Sequence, residues 1–195
     1  MKTKAIEEAK IRLGRASQAL AEIETAGFDF PKLETAWWQF LLAANAIYVK
    51  LYVGAKWDPK SESWFGQKVH ERKHDELLSY IHYARNSEEH GLEGSTTTGF
   101  TLEPTNKRVK VVEHPDGRTE IRIPQNFPVG KALGKLTPPK VTLVRVYDGR
   151  SRRYFNPPTM HRGKPIDGRS PKVVARLAVD YLIALIAEAE TYVAL

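Results

Sequence analysis

The spacing of apolar residues changes twice along this chain, and that change sets the order of its elements. Residues 1–25, 32–53 and 171–193 repeat apolar side chains at steps of three and four, which is the period of an amphipathic helix. Between them, residues 107–112 and 119–123 alternate apolar and polar side chains, as β-strands do. The chain therefore reads as helices, then strands, then a returning helix.

The helical segments predict one bundle. A further helix is expected over residues 75–90, starting at Asp75, which is a good N-cap residue, and its inner face repeats Leu77, Leu78, Ile81 and Ala84. Short connections between long helices favour antiparallel neighbours. Residues 55–70 are expected to form a loop whose three large rings pack over one end of the bundle: Trp57, Trp64 and Phe65.

The middle of the chain predicts a small antiparallel sheet of four strands within residues 99–156. A hairpin is expected around His114–Gly117, and residues 141–147 should turn at residues 148–151 toward a strand at 152–155. The predicted fold class is mainly α, a four-helix bundle with this sheet inserted between the third and fourth helices. We expect a single domain over residues 1–195, with the bundle formed by 1–97 and 170–195 and a basic β insertion at 98–169.

Positive charge is concentrated in the insertion. Residues 98–170 hold 15 Lys and Arg against 6 Asp and Glu, a net charge of +9, whereas residues 1–97 and 171–195 each carry −1. A local basic surface attracts phosphate groups and raises encounter rates with nucleic acid. The alternative is that these strands are simply a solvated face.

Several function classes are excluded or disfavoured by composition. The chain has no cysteine, which excludes disulfides, thiolate zinc sites and a cysteine nucleophile. It has no run of ~18 apolar residues and no apolar run after its charged first residues, so a cytoplasmic protein without a membrane span is expected. No glycine-rich phosphate loop or nucleophile elbow is present, and we expect no cofactor.

Three residues near the end of the third predicted helix suit phosphodiester chemistry that needs no metal. Arg85 and Asn86 are adjacent, and His90 follows the arginine by five positions. Arginine stabilises a phosphate that gains charge, and histidine moves a proton near neutral pH. On a continuous helix the arginine and histidine would be separated by about 140° around the axis, so they converge only if the helix ends between them or a second protomer supplies one of them.

The run Tyr83-Ala84-Arg85-Asn86 and Glu89-His90-Gly91 resembles the R-x4–6-H signature of HEPN domains, small all-helical domains that include many RNases. Residues 157–166, followed by a final helix, resemble the same group of uncharacterised bacterial proteins. The resemblance implies a homodimer that binds RNA and cleaves it without metal. In that scheme His90 is the general acid or base, Arg85 stabilises the charged phosphorane and Asn86 holds the phosphate.

Two alternatives stay open at this motif. Arg85 could pair with Glu88 or Glu89 on the helix surface while His90 interacts with the helix dipole. The protein would then be a non-catalytic module of the same fold that binds nucleic acid or a protein partner.

His70-Glu71-Arg72-Lys73-His74 matches the H-E-x-x-H pattern of zinc proteases. Two cationic residues between the histidines would repel a zinc ion, and no third ligand follows at a typical spacing. We therefore expect no metal site, and a zinc metalloprotease is the least favoured alternative.

Candidate RNA-binding residues lie in the insertion. Arginines interleaved with Tyr154 and Phe155 suit phosphate contact combined with base stacking, and the candidates are Arg108, Arg150, Arg152 and Arg153. The competing interpretation is an exposed hairpin whose aromatic rings pack inward. His161, in the loop that follows, is expected to be structural.

Overall fold

The computed structural model describes residues 1–90, 94–99, 102–103, 109–116, 118–125, 135–136 and 138–193. In these residues it is mainly helical, with helices α1 (Thr3–Thr25), α2 (Phe30–Ala55), α3 (Pro59–His74), α4 (Glu76–His90) and α5 (Pro171–Glu190). Four of them lie where the apolar stripes predicted helices. The last helix, α5, packs against α1 and α2, as expected for a helix that returns to the others.

Helix α3 corrects the prediction of a loop over residues 55–70. Asp58 is the N-cap of this helix, because its side chain accepts a hydrogen bond from the backbone N–H of Ser61 at 3.0 Å, and Pro59 occupies the first turn. Trp64 and Phe65 are buried, as predicted for the aromatic residues of this segment. Trp57 is 67% exposed instead, with the Lys2 ammonium 4.2 Å from its ring centroid.

The core is centred on α2, which contacts every other helix. Its inner face carries side chains that are almost fully buried, namely Trp37, Phe40, Leu41, Ile47 and Leu51. α5 adds a wide apolar face to the same cluster. None of the helices in the described residues is long and apolar enough to cross a bilayer.

The strands lie between α4 and α5, where the insertion was predicted. They are β1 (Thr96–Gly99), β2 (Leu102–Glu103), β3 (Lys110–Glu113), β4 (Thr119–Arg122), β5 (Lys135–Leu136), β6 (Lys140–Leu143), β7 (Val146–Asp148), β8 (Arg153–Phe155), β9 (Met160–His161) and β10 (Lys164–Pro165). All pairings are antiparallel: β1–β6, β2–β5, β3–β4, β7–β8 and β9–β10. The two predicted hairpins are confirmed as β3–β4 and β7–β8.

The prediction of a single four-stranded sheet is wrong, because each strand in the described residues has one partner. The predicted strand over 141–147 breaks at Val144. There the Val144 N–H donates to the Ser95 carbonyl at 3.0 Å, and its carbonyl accepts from the Tyr80 hydroxyl at 2.7 Å. The backbone groups that would have extended a sheet are therefore satisfied by the segment after α4 and by α4 itself.

Candidate nucleic-acid interface

Helix α4 carries Arg85, Asn86 and His90. The predicted N-cap contact is present, since the Leu78 N–H donates to Asp75 Oδ1 at 3.0 Å. The inner face is formed by the four buried residues predicted for it, Leu77, Leu78, Ile81 and Ala84. His90 is the last residue of α4, and its side chain lies outside the described part of the chain. The geometry of the Arg85–His90 pair therefore stays a prediction.

Arg85 is half-buried and held by its own helix. Its guanidinium forms an ion pair with Glu89 one turn further on, and Nη1 donates to Asn86 Oδ1 at 3.3 Å. Its Nε is buried and finds no acceptor among the described residues. The Glu89 contact is one of the two pairings left open by the sequence. A phosphate that approaches Arg85 must compete with this carboxylate.

Two contacts fasten α4 to the β7–β8 hairpin. The Asn86 side chain hydrogen-bonds the buried Asp148 carboxylate, which also accepts from the Ser151 N–H at 2.8 Å. Burial opposes ionisation of Asp148, but these hydrogen bonds outweigh it and hold its pKa below the usual value. On the same side, Tyr83 and Phe155 stack with ring centroids 3.5 Å apart. Asn86 thus positions the hairpin beside Arg85.

The outer face of the β7–β8 hairpin presents two tyrosines and an arginine. Tyr147 and Tyr154 are directly opposed in the ladder, their ring centroids are 5.1 Å apart, and they are 39% and 56% exposed. The guanidinium carbon of Arg145 lies 4.6 Å from the centroid of the Tyr154 ring. We call Arg145, Tyr147 and Tyr154 the tyrosine platform. Of the two aromatic residues weighed in the sequence, Phe155 packs inward and Tyr154 faces solvent.

Three of the four candidate arginines belong to the same hairpin, with Arg150 and Arg152 in its turn and Arg153 at the start of β8. Arg150, Arg152 and Arg153 are exposed, and none of the carboxylates in the described ranges lies within 4.0 Å of them. Arg152 has φ 54°, a left-handed conformation that glycine or asparagine adopts at lower cost. The conformation of the turn therefore does not explain why this position holds an arginine. Arg108 lies outside the described residues.

Sequence reasoning missed His82, which lies one helical turn before Arg85 and Asn86. Its Nδ1 is buried and has no hydrogen-bond partner among the described residues. Burial, with help from the positive charges of Arg72 and Arg85, lowers the pKa of His82 to about 4. The imidazole is therefore neutral at pH 7. No sequence motif marks this residue, because its burial depends on packing between helices.

His82 makes the fold sensitive to acid. As pH falls from 7 to 4.5, the unfolded chain takes up a proton on this histidine and the folded chain does not, so the free energy of unfolding decreases. We expect a loss of about 2 kcal/mol from this residue, reduced for partial exposure. Urea titrations across this range should show a smaller loss in His82→Gln. Parallel losses in both proteins would contradict the assignment.

His70, Glu71 and His74 do not assemble a metal centre. The two imidazole rings stack face to face with centroids 4.0 Å apart, so their nitrogens do not converge on one point. The Glu71 carboxylate accepts from the Tyr181 hydroxyl at 3.2 Å and lies 3.5 Å from the Lys68 ammonium. In the described part of the chain no group of three or more histidine or acidic residues is placed to hold a metal.

The loop after β8 is anchored to the corner between α3 and α4. His161 Nδ1 lies 2.9 Å from Asp75 Oδ1, and the Arg162 N–H donates to Asp75 Oδ2 at 2.7 Å. Glu76 Oε2 accepts from the Thr159 N–H and hydroxyl, both at 2.8 Å. His161 therefore has the structural role predicted for it, and it fixes the segment that follows the tyrosine platform.

Comparisons of the chain with protein-family models, curated protein sequences and solved structures gave no match.

Proposed function

We propose that the protein binds single-stranded RNA on the tyrosine platform and the arginines around it. The observation that carries this proposal is the exposure of two adjacent tyrosine rings on a hairpin whose Arg150, Arg152 and Arg153 have no carboxylate partner among the described residues; Arg145, over the Tyr154 ring, lies 3.9 Å from Asp116. Exposed rings stack on unpaired bases, at about 1–3 kcal/mol per base, and guanidinium groups contact phosphates. Exposed rings and arginines on one hairpin suit a flexible, unpaired strand better than a rigid duplex.

Charge reversal at Arg152 and Arg153 tests this proposal. We expect Arg152→Glu combined with Arg153→Glu to weaken binding of a labelled 12-nucleotide RNA at least tenfold in 0.1 M salt. If two phosphate contacts are lost, the negative slope of log affinity against log salt should become shallower by about 1.4. Fluorescence anisotropy across a salt series measures both quantities.

The matched control reverses the same number of charges away from the platform. Lys32 and Lys172 are exposed on α2 and α5, and neither has an ion-pair partner among the described residues. Lys32→Glu combined with Lys172→Glu gives the same net charge, and we expect at most a small change in affinity. Equal weakening by the two double variants would show that only overall charge matters and would refute the interface.

A second candidate function is metal-independent cleavage of the bound strand, as the HEPN resemblance implies. The observation that favours it is the fastening of α4 to the hairpin through Asn86 and Tyr83, which holds the hairpin that would bind RNA against the helix that carries Arg85. Arg85 would stabilise the charged phosphorane, and His90 would move the proton. In this proposal two protomers meet at the end of α4, so that the arginine and histidine converge. A non-catalytic RNA-binding module is the alternative.

A further inference from the structure

A cleft of about 410 Å³ lies beside the tyrosine platform. Its walls are the corner between α3 and α4 on one side and the segment from β8 to β9 on the other. The lining includes three charged residues, two exposed residues with rings and two polar residues, namely Lys73, Asp75, Glu76, His74, Tyr154, Ser79 and Asn156. This volume is within the range of small-molecule sites and suits a single nucleoside.

Tyr154 belongs both to the cleft and to the platform. A strand that stacks on the platform therefore passes the mouth of the cleft, and one unstacked base has room to enter. Proteins that recognise single-stranded RNA commonly splay a base out, stack it on an aromatic ring and bind its Watson–Crick edge. The chemistry of the cleft wall then decides which base is accepted.

Glu76 supplies an unused acceptor on that wall. Its Oε2 accepts three hydrogen bonds, from the N–H and hydroxyl of Thr159 and from the N–H of Met160 at 3.1 Å. Its Oε1 has no donor among the described residues. The same hydrogen bonds hold the pKa of Glu76 below its usual value, so the group is an anion at pH 7. Such an oxygen accepts hydrogen bonds and repels carbonyl oxygens.

We infer that the cleft takes one base that carries an exocyclic amino group, stacked near Tyr154 and donating to Glu76 Oε1. Cytosine presents its N4 amino group to such a carboxylate, which is a known pairing for glutamate. Uracil presents the O4 carbonyl at the same position and is rejected. This inference rests on the proposed RNA binding and adds a preference against uracil.

Paired oligonucleotides test the inference, because cytosine and uracil have nearly the same size. At pH 7.5 we expect the wild-type chain to bind a 12-mer of cytidine at least about fivefold more tightly than a 12-mer of uridine. Glu76→Gln keeps an oxygen for Thr159 and Met160 but offers an amide N–H₂ to the cleft. It should abolish or reverse the preference. Glu62→Gln, exposed in the first turn of α3, is the matched control and should retain it.

Filling the cleft provides a second variant. Ser79→Phe should remove the preference for cytidine while leaving salt-dependent binding to both 12-mers. Thermal denaturation of Ser79→Phe and Glu76→Gln checks that both variants fold. Equal binding of the two 12-mers by the wild-type chain would overturn the inference that the cleft selects a base, and would leave the proposed RNA binding intact. If neither 12-mer binds, the proposed function fails. In that case saturation-transfer NMR with free cytidine and uridine decides, since binding of cytidine alone supports the cleft and binding of neither overturns it.

Discussion

Replacing Trp37 with alanine is expected to lower the free energy of unfolding by about 3–5 kcal/mol. The indole is 1% exposed on α2, and its ring stacks on Phe40 at a centroid distance of 5.4 Å. Its Nε1 also donates to Ser95 Oγ at 2.8 Å, and Ser95 in turn donates to Glu88. The substitution therefore leaves a cavity and also removes a hydrogen bond that joins the helices to the β region. Urea denaturation followed by far-UV circular dichroism measures the change.

Trp57 provides the control for the same chemical change. Its indole is 67% exposed and contacts the Lys2 ammonium, an interaction that is worth about 0.5–1 kcal/mol at exposed positions. We expect Trp57→Ala to cost no more than about 1 kcal/mol. Trp37→Phe should cost about 1 kcal/mol, mainly from the lost indole donor. Similar losses for the two alanine variants would show that the core is not centred on α2.

Cleavage of RNA by the wild-type chain in EDTA, leaving a cyclic phosphate, is expected to fall at least about a hundredfold in Arg85→Ala and in His90→Ala. In the proposed reaction the neighbouring ribose hydroxyl would attack the phosphate, so EDTA should not stop cleavage. Glu89→Gln should raise the rate, because the carboxylate that pairs with Arg85 no longer competes with the phosphate. Gel assays with end-labelled RNA measure the rates.

His70→Ala is the matched histidine control and should cleave at the wild-type rate, since His70 is exposed on α3 and Arg85 lies on another helix, α4. Sedimentation velocity should show a dimer at micromolar concentration. A wild-type chain that binds RNA but cuts nothing across varied substrates would refute the enzyme and support the non-catalytic module. A monomer that still cleaves would show that the site does not need two protomers.

The four helices that were predicted correctly have clear apolar stripes, although that of α4 covers only 15 residues. α1, α2 and α5 repeat apolar residues over five or more turns, so the local pattern dominates. α3 was missed because only Trp64, Phe65 and the small Ser61 are buried on an otherwise polar helix. Its start was nevertheless visible, since Asp58 followed by Pro59 is a typical helix beginning.

The strand pairings of the β region could be predicted from the sequence only in part. Hairpins β3–β4 and β7–β8 are local and were predicted from their turns. β1 and β6 pair across more than 40 residues of chain, with Thr96 opposite Leu143, and no local signal specifies such a partner. The position of Asp148 beside Asn86 and the burial of His82 likewise depend on packing between distant segments. The candidate arginines and Tyr154 were identified from the sequence. That Tyr147, Arg145 and Glu76 lie near Tyr154 or its cleft is visible only in the folded structure.

The most direct test of RNA binding on the tyrosine platform is photo-cross-linking of a mixed-sequence single-stranded RNA, with the linked peptides identified by mass spectrometry. We expect cross-links at Tyr147 or Tyr154, and their loss in Tyr147→Ala combined with Tyr154→Ala. A competing basic groove of about 460 Å³ lies between α1 and α2 and is lined in part by Arg12 and Arg15. Cross-links confined to that groove, or the absence of cross-links on β7 and β8, would contradict RNA binding on the tyrosine platform.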